Sequence, residues 1–358
     1  MSTLSWGIIG TGAIARTFAR GLQRTDSAQL VAVGSRSGQS AQAFGRDLNL
    51  DNCYGSYDEL LQDKSVQAVY ISTPHPFHAE WALKAIQAGK HILCEKPLAM
   101  NIKQAEEIFY AARIRGVFAA EAFMYRCHPQ TARLIELIRD GAVGEVRMIR
   151  ASFGFGGGDS YDPEHRLFRK SLGGGGILDV GCYAVSGSRL IAGTAVGKPF
   201  SNPIKVRGLG RLGATGVDEW ASGVLQFDSG IVAHVATAIR TTLDNVIEVY
   251  GSAGRLRIPD PWVADREHPV NGRIQLFREG DEQVIEIPCA KTSFTLEADM
   301  VAAAIAAGQR EPSPPAMLWE DSLGNMATLD AWRQEVGIIY KQDDPASGPK
   351  FIWPPSSQ

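Results

Sequence analysis

The chain has 358 residues, of which 44% are hydrophobic and 21% charged, and its formal net charge is −3. This length predicts two domains, and the weak negative charge gives no electrostatic basis for binding nucleic acid or an anionic membrane. The first residues lack the basic and apolar regions of a secretory signal, and no apolar run approaches the roughly 20 residues of a spanning helix. Five scattered cysteines without a CxxC pair favour neither disulfides nor a zinc framework, so a reducing cytoplasm is the expected location.

The first predicted element is an apolar strand over residues 4–10, which runs directly into the sequence GTGAIA. These residues fill the G-x-G-x-x-G/A pattern: the first glycine makes a tight turn, the second lets a pyrophosphate approach the backbone, and the small third residue lets a helix pack on the strand. A helix is predicted over 13–23, and its first amides would hold the phosphates. The predicted cofactor contacts in this turn are Gly10, Thr11, Gly12, Ala13 and Ile14.

The second strand, predicted over 30–34, ends in Ser35 and Arg36. NAD sites usually place an Asp or Glu here to bind the ribose 2′-hydroxyl. A carboxylate would repel a 2′-phosphate, whereas a hydroxyl and a guanidinium bind one through charge-assisted hydrogen bonds. We therefore predict NADP as the cofactor, with Ser35 and Arg36 as contacts; the alternative is a solvated arginine in a loop.

A buried strand over 66–72 ends in TPHPFH. Thr73 and Pro74 are predicted to lie above the cofactor. His78 opens a helix that runs to residue 88, and it is predicted to cap that helix or to contact the edge of the cofactor. His75 and His78 are too close in sequence, and lack the carboxylate or cysteine partners that would complete a metal-binding set, so no metal site is predicted.

The next strand, over 91–94, ends in Glu95, Lys96 and Pro97. Because a proline restricts the preceding residue to extended conformations, Lys96 leaves the strand on a constrained backbone, at the edge where a parallel sheet binds its ligand. Glu95 and Lys96 are predicted cofactor contacts; the alternative is a surface lysine in a turn. A helix over 102–115 and a strand from 117 then complete a doubly wound parallel sheet through about residue 123.

After this point the pattern changes to that of an α+β domain. A helix over 130–139 precedes an alternating strand over 144–155, and further helices are predicted near 177–191, 294–307 and 317–336. Strand-like runs follow at 204–212, 219–227, 231–239, 245–251, 272–277 and 284–288. The predicted fold is an N-terminal Rossmann domain that binds NADP, residues 1–124, followed by a substrate-binding and dimerisation domain with a mostly antiparallel sheet, residues 125–358.

The second domain contributes GGGGILDVGCY, in which Asp179 and Tyr183 are four residues apart. On a helix this spacing places them on one face, about 5–6 Å apart, and a face turned toward the crevice would meet Lys96. A free tyrosine titrates at about 10, and a nearby ammonium lowers that pKa toward the neutral range, where a general base is effective. We therefore expect Tyr183 to carry the proton, Lys96 to stabilise charge on the substrate oxygen, and Asp179 to orient a substrate hydroxyl or the lysine. The alternative for Asp179 and Tyr183 is helix capping and packing between domains.

Four motifs together resemble the glucose–fructose oxidoreductase/inositol dehydrogenase (Gfo/Idh/MocA) family over nearly the whole chain. They are GTGAIA, CEKPLA at 94–99, EAFMYRCHP at 121–129 and GGGGILDVGCY. The resemblance implies a Rossmann domain followed by an open-faced antiparallel sheet that often mediates dimerisation. It also implies a catalytic Lys96 and raises a cis Lys96–Pro97 bond as an expectation.

Many inositol dehydrogenase-like members have a histidine where this chain has Tyr183. A tyrosine here is similar to glucose–fructose oxidoreductase, dimeric dihydrodiol dehydrogenases and NADP-linked D-xylose dehydrogenases. In the dihydrodiol/xylose branch, a lysine and a tyrosine are the proposed catalytic pair. By motif this implies Lys96 and Tyr183, with Asp179 in support. The candidate substrate-binding residues are Arg126, His165, Arg166, Asp179 and Tyr183.

The predicted function is that of a cytoplasmic NADP-dependent oxidoreductase acting on a secondary alcohol or hemiacetal carbon of a sugar. An aldose such as xylose or glucose is the first candidate substrate, and a homodimer or higher homo-oligomer through the C-terminal sheet is expected. Oxidation of a trans-dihydrodiol and reduction of a sugar ketone are alternatives that use the same residues. Outside this class, the alternatives are a regulator that senses NADP without turnover and a sugar-binding structural partner without a cofactor.

Overall fold

The computed structural model describes residues 3–156, 161–262 and 267–344, which form two β-sheets with helices packed against them. In the first sheet, six parallel strands lie in the order β3-β2-β1-β4-β5-β6. The strands are β1 (Leu4–Ile9), β2 (Ala28–Gly34), β3 (Asn52–Tyr54), β4 (Ala68–Ile71), β5 (His91–Glu95) and β6 (Ala119–Ala122). The helices between them are α1 (Ala13–Leu22), α2 (Gly38–Leu48), α3 (Tyr57–Gln62), α4 (His78–Gln87) and α5 (Ile102–Arg115).

This sheet is the predicted Rossmann arrangement. All four residues of β4 are buried, because a parallel strand is covered by helices on both faces. The direction of winding reverses between β1 and β4, so the crevice for a ligand lies beyond the carboxyl ends of these two strands.

The second sheet has eight strands in the order β14-β13-β12-β11-β7-β10-β9-β8. Neighbouring strands are antiparallel except for β7 and β10, which run parallel, so the prediction of a mostly antiparallel sheet is confirmed. The strands are β7 (Val146–Gly154), β8 (Pro203–Leu212), β9 (Asp218–Phe227), β10 (Val232–Ala238), β11 (Val246–Gly251), β12 (Arg255–Pro259), β13 (Gly272–Arg278) and β14 (Asp281–Ile287). The remaining helices are α6 (Pro129–Arg139), α7 (Cys182–Thr194), α8 (Ser293–Ala306) and α9 (Trp319–Val336).

One face of the second sheet is buried and the other is open. Along β9, Ala221 and Leu225 point into the core that contains α9, whereas Trp220 and Val224 on alternate positions are exposed. This period of two is what an antiparallel sheet with one solvated face requires.

Helix α8 belongs to the second half of the chain but packs on the first sheet. Its Phe294 and Val301 share a buried cluster with Trp6, Phe18 and Tyr70. The two halves are therefore joined by a continuous apolar core, and the boundary between residues 124 and 125 stays a prediction.

Several elements were absent from the expectations. Helices α2 and α3 and the strands β3 and β12 appear in the structure, and the helix expected from residue 177 begins as a π-helical turn, Ile177–Gly181, before α7. Within the described residues, no helix is both long enough and apolar enough to cross a membrane.

Candidate functional site

The turn after β1 is shaped for a phosphate group. Gly10 has φ of +108°, and a Cβ there would lie 2.8 Å from Ser72 Oγ. Gly12 is exposed, a Cβ there would meet nothing within 4 Å, and no side chain caps the helix that begins at Ala13. Open backbone amides at a helix start, with room for a ligand beside them, fit the pyrophosphate of a dinucleotide.

A second feature at the same crevice is Thr73, at the carboxyl end of β4. Its Oγ1 is buried and has no hydrogen-bond partner among the described residues. Buried polar atoms are nearly always paired in folded proteins, so this hydroxyl is available for a ligand. Together with the open turn at Gly12, it makes the residues present fit a dinucleotide cofactor.

The end of β2 presents Ser35 and Arg36. Ser35 is buried, and its Oγ accepts a hydrogen bond of 3.4 Å from the main-chain amide of Ser37. Arg36 is exposed and lies beside the hydroxyl of Tyr57. Burial raises the pKa of Tyr57, and the positive charge of Arg36 partly offsets this rise. No carboxylate follows β2 where an NAD site would carry one.

Lys96 leaves β5 through a cis Lys96–Pro97 bond, as the resemblance implied. Its ammonium Nζ donates a hydrogen bond of 2.6 Å to the main-chain oxygen of Asp179 and lies 3.8 Å from Asp179 Oδ1. The same nitrogen is 5.2 Å from the centroid of the Tyr183 ring. The three residues chosen from the sequence as catalytic are therefore neighbours.

The Asp179 carboxylate lies among two positive groups, Lys96 and Arg166, and a buried neutral histidine, His75. Arg166 Nη1 lies 3.0 Å and His75 Nε2 lies 3.8 Å from its Oδ1. Burial alone would raise the pKa of Asp179, but the charges of Lys96 and Arg166 outweigh it and lower the pKa to about 2. Asp179 is ionised at every physiological pH and fixes the lysine in place.

Tyr183 differs from the expectation in one respect. Its pKa is raised well above the usual value, first by burial and then by the nearby carboxyl of Glu95, whereas the sequence argument expected the lysine to lower it. The ammonium lies over the ring, and the hydroxyl donates to Met124 Sδ at 3.4 Å. The raised pKa keeps the Tyr183 hydroxyl protonated, and its hydrogen bond to Met124 is weak because a thioether is a poor acceptor.

The ring of Tyr183 stands in an aromatic cluster. Phe123, Phe153 and Trp262 lie with their centroids 5.1, 5.3 and 5.7 Å from it, each at a steep angle. Such edge-to-face contacts fix the ring plane, and Phe153 is partly exposed beside it.

The three further candidates for substrate binding are placed differently from one another. Arg166 is half-exposed and touches Asp179, as described. His165 is exposed and accepts the amide of Leu167 through Nδ1, so it caps a short turn. Arg126 is buried, and its guanidinium contacts Ser186 and the carboxylate of Asp321, which favours a structural role over the proposed contact with substrate.

Two predicted cofactor contacts, His78 and Glu95, are also enclosed. The ring nitrogens of His78 lie 2.9 Å from Pro97 O and 2.8 Å from Thr73 O, and burial lowers its pKa to about 4. Glu95 accepts one hydrogen bond from the hydroxyl of Tyr70 and a second, of 3.2 Å, from the main-chain amide of Lys96. Both residues make internal hydrogen bonds at the carboxyl ends of β4 and β5, and these bonds occupy the polar side-chain atoms of both predicted cofactor contacts.

Sequence reasoning gave no role to His75 or Met124. His75 is buried, its Nδ1 lies 3.1 Å from Gly173 O, and burial lowers its pKa to about 3. Its place two residues after Thr73, at the carboxyl edge of the sheet, was the available signal. Among the described residues, no group of three or more His, Cys, Asp or Glu side chains is arranged to hold a metal ion.

A Rossmann crevice that collects an ammonium, a carboxylate and a phenol defines an NAD(P)-dependent oxidoreductase acting on CH–OH groups. The family model described as "Oxidoreductase family, NAD-binding Rossmann fold" matches residues 4–123, and that of the GFO/IDH/MocA C-terminal domain matches residues 131–257.

Relatives match over nearly their full length. Trans-1,2-dihydrobenzene-1,2-diol dehydrogenase of Mus musculus is 34% identical, over 95% of this chain and 99% of its own, and that of Xenopus tropicalis is 33% identical, over 94% and 98%. A 3-ketoreductase from Actinomadura kijaniata, solved with NADP and TDP-benzene, superposes with a TM-score of 0.83 at 28% identity, over 94% of this chain and 98% of that one. The chain belongs to the GFO/IDH/MocA family of oxidoreductases.

Proposed function

We propose that this protein is an NADP-linked oxidoreductase that interconverts a secondary alcohol or hemiacetal and the corresponding carbonyl on a polyhydroxylated six-membered ring. An aldose such as xylose or glucose, oxidised at its anomeric carbon, is the first candidate. The observation that carries the proposal is the meeting of Lys96, Asp179 and Tyr183 beyond the ends of the parallel strands.

Each of these residues has a separate part in the chemistry. The nicotinamide cofactor, when bound, supplies or accepts the hydride. Lys96 places a positive charge where the substrate oxygen becomes negative, and Tyr183 gives that oxygen a proton or takes one from it. Asp179, ionised and fixed by Arg166, holds the lysine through its main-chain oxygen.

The preference for NADP rests on the end of β2. Ser35 and Arg36 offer a hydroxyl and a guanidinium to a 2′-phosphate, and no carboxylate stands there to repel it. The NADP bound by the 3-ketoreductase of similar fold supports the same assignment.

A trans-dihydrodiol is the second candidate substrate, and the surroundings of Tyr183 favour it. Phe153, which is partly exposed, and Met124 add apolar surface beside Tyr183, and Lys96, Asp179 and Arg166 supply polar groups near it. A ring with two adjacent hydroxyls and an apolar remainder matches this mixture of polar and apolar groups. The names of the mouse and frog relatives support this candidate.

The test is a panel of aldoses, inositols, trans-dihydrodiols and sugar ketones, assayed in both directions by NADPH absorbance. We expect turnover of ring substrates with vicinal hydroxyls, and at least tenfold lower kcat/KM with straight-chain secondary alcohols. A protein that binds NADPH but turns over no member of the panel would instead be a cofactor-sensing regulator, and the proposal would be wrong.

A further inference from the structure

Glu121, which has no part in the roles assigned so far, lies on β6 directly opposite Cys94 of the neighbouring β5. The same strand β5 ends at the residue before Lys96. Only 3% of Glu121 is exposed. Burying a carboxyl group beside β5 costs free energy unless its interactions within the protein offset the loss of hydration.

One oxygen of Glu121 holds the turn that follows Lys96. The amide of Leu98 donates to Glu121 Oε1 at 2.8 Å. Because Pro97 has no N–H, this amide is the first main-chain donor after the lysine. His78, the first residue of α4, contacts the Pro97 carbonyl at 2.9 Å, so the turn is held by β6 and by the start of α4.

The other oxygen of Glu121 faces a buried ionic cluster. Glu121 Oε2 has no hydrogen-bond partner among the described residues. Asp321 and Ser322 of α9 and Arg189 of α7 surround it, and Arg189 Nη1 binds Asp321 Oδ1 at 2.6 Å. Glu121 therefore binds the turn after Lys96 and also interacts with Arg189 of α7, the helix that carries Tyr183.

The charge of Glu121 changes in the neutral range. Burial raises its pKa to about 7, and Asp321 acts in the same direction. The Leu98 amide, Ser322 and Arg189 oppose this rise without cancelling it. The other titratable groups that face Glu121 are the buried thiols of Cys94 and Cys182 and the guanidinium of Arg126.

We propose that Glu121 is a positioning residue whose carboxylate, through the Leu98 amide, sets the Lys96 ammonium against Asp179 and Tyr183, and that loss of its charge loosens this turn. A charged acceptor binds an amide about twice as strongly as a neutral one, so protonation weakens the hold. The proposal rests on the catalytic role proposed for Lys96.

Two variants separate the hydrogen bond from the charge. Glu121→Ala removes both, and we expect kcat to fall about 10²-fold, the usual result of a misplaced catalytic group, with KM for NADP changed less than about twofold. Glu121→Gln keeps an oxygen for Leu98, and we expect it to recover kcat to within about tenfold of wild type. Glu107→Gln is the matched control, because the pKa of that glutamate is also raised by burial but its helix α5 begins after the turn.

A measurement without turnover reports on the contact itself. The Leu98 amide resonance, followed by NMR, is expected to titrate near pH 7 in wild type and in Glu107→Gln, and to be flat in Glu121→Gln. The pH profile of kcat is expected to lose the same inflection in Glu121→Gln. Asp218, whose pKa burial also raises to about 7, is present in every one of these proteins and cannot cause the difference.

The outcomes are distinct. A Leu98 amide that does not titrate in wild type, or a Glu121→Ala protein with wild-type kcat, would overturn the proposal. If Glu121→Ala does not fold, the titration and pH profile of Glu121→Gln decide. Lys96→Met tests the underlying function: full turnover in that variant would remove the proposed mechanism, while the Leu98 titration would still report on Glu121.

Discussion

At the scale of single residues, the proposed mechanism gives Lys96 the stabilisation of charge and gives Tyr183 the transfer of the proton. Lys96 is held by the main-chain oxygen of Asp179, and the carboxylate of Asp179 is ionised because the charges of Lys96 and Arg166 outweigh its burial. Tyr183 lies in the same crevice but keeps its proton, because burial and Glu95 both disfavour the phenolate. A protonated phenol donates to a carbonyl oxygen, and oxidation of an alcohol would require the phenolate, so the two directions of the proposed reaction should depend differently on pH.

We predict that Tyr183→Phe lowers kcat by about 10²–10⁴-fold in both directions, the range expected for a general acid or base. Because the pKa of Tyr183 is raised, the phenolate fraction grows tenfold for each pH unit below that pKa. Oxidation by wild type should therefore accelerate from pH 7 to 10 without a plateau, whereas reduction should not. Steady-state rates over this range check both points, and an oxidation rate that levels off below pH 8 would contradict the assignment.

Arg36 provides a second prediction at this scale. Arg36→Ala should weaken NADP binding by about 10- to 100-fold, the worth of a charge-assisted hydrogen bond, and leave NAD binding within about twofold. Fluorescence titration with NADPH and NADH measures the two affinities. Arg46→Ala is the control, since that arginine is exposed in the last turn of α2. Equal losses for both cofactors would show that Arg36 does not bind the 2′-phosphate.

At the scale of secondary structure, the strand ends determine which residues meet. The sequence predicted the parallel strands and the spacing from Asp179 to Tyr183, because apolar runs, glycines and helix periodicity are local signals. It did not predict that Lys96 binds the main-chain oxygen of Asp179, since that oxygen is presented by a π-helical turn. The raised pKa of Tyr183 also escaped it, because Glu95 and the surrounding rings come from distant parts of the chain.

The two glycines of the first turn allow cofactor binding to be separated from folding. Gly12→Ala puts a methyl group into open space, so we expect little change in the melting temperature but at least tenfold weaker binding of NADPH. Gly10→Ala forces an alanine to φ of +108° and against Ser72 Oγ, and we expect it to destabilise the fold by about 1–3 kcal/mol. Calorimetry with and without NADPH distinguishes the two. A Gly12→Ala protein with wild-type affinity would show that no phosphate approaches this turn.

At the scale of the whole molecule, the open face of the second sheet is where we expect a second copy to bind. Trp220 and Val224 lie exposed on one face of β9, and Leu209 is exposed on the neighbouring β8. We predict a dimer in analytical ultracentrifugation and a monomer for Val224→Glu, because a two-fold axis would bring two buried charges together. Tyr110→Glu, at an exposed aromatic position on α5, is the control. A monomeric wild type would refute this interface.

The second prediction at this scale concerns a buried ionic cluster that lies just after the last strand of the first sheet. Asp321 of α9 binds Arg189 of α7 at 2.6 Å and lies 3.4 Å from Arg126, which follows the last strand of the first sheet, and all three side chains are buried. Removing one partner of such a cluster leaves charges without water or counter-ion, which typically costs about 3–5 kcal/mol. Asp321→Asn should therefore lower the free energy of unfolding by that amount in urea titrations. Asp281→Asn, at an exposed strand end, should change it by less than about 0.5 kcal/mol. Equal stability of the two variants would show that this cluster contributes little to the stability of the fold.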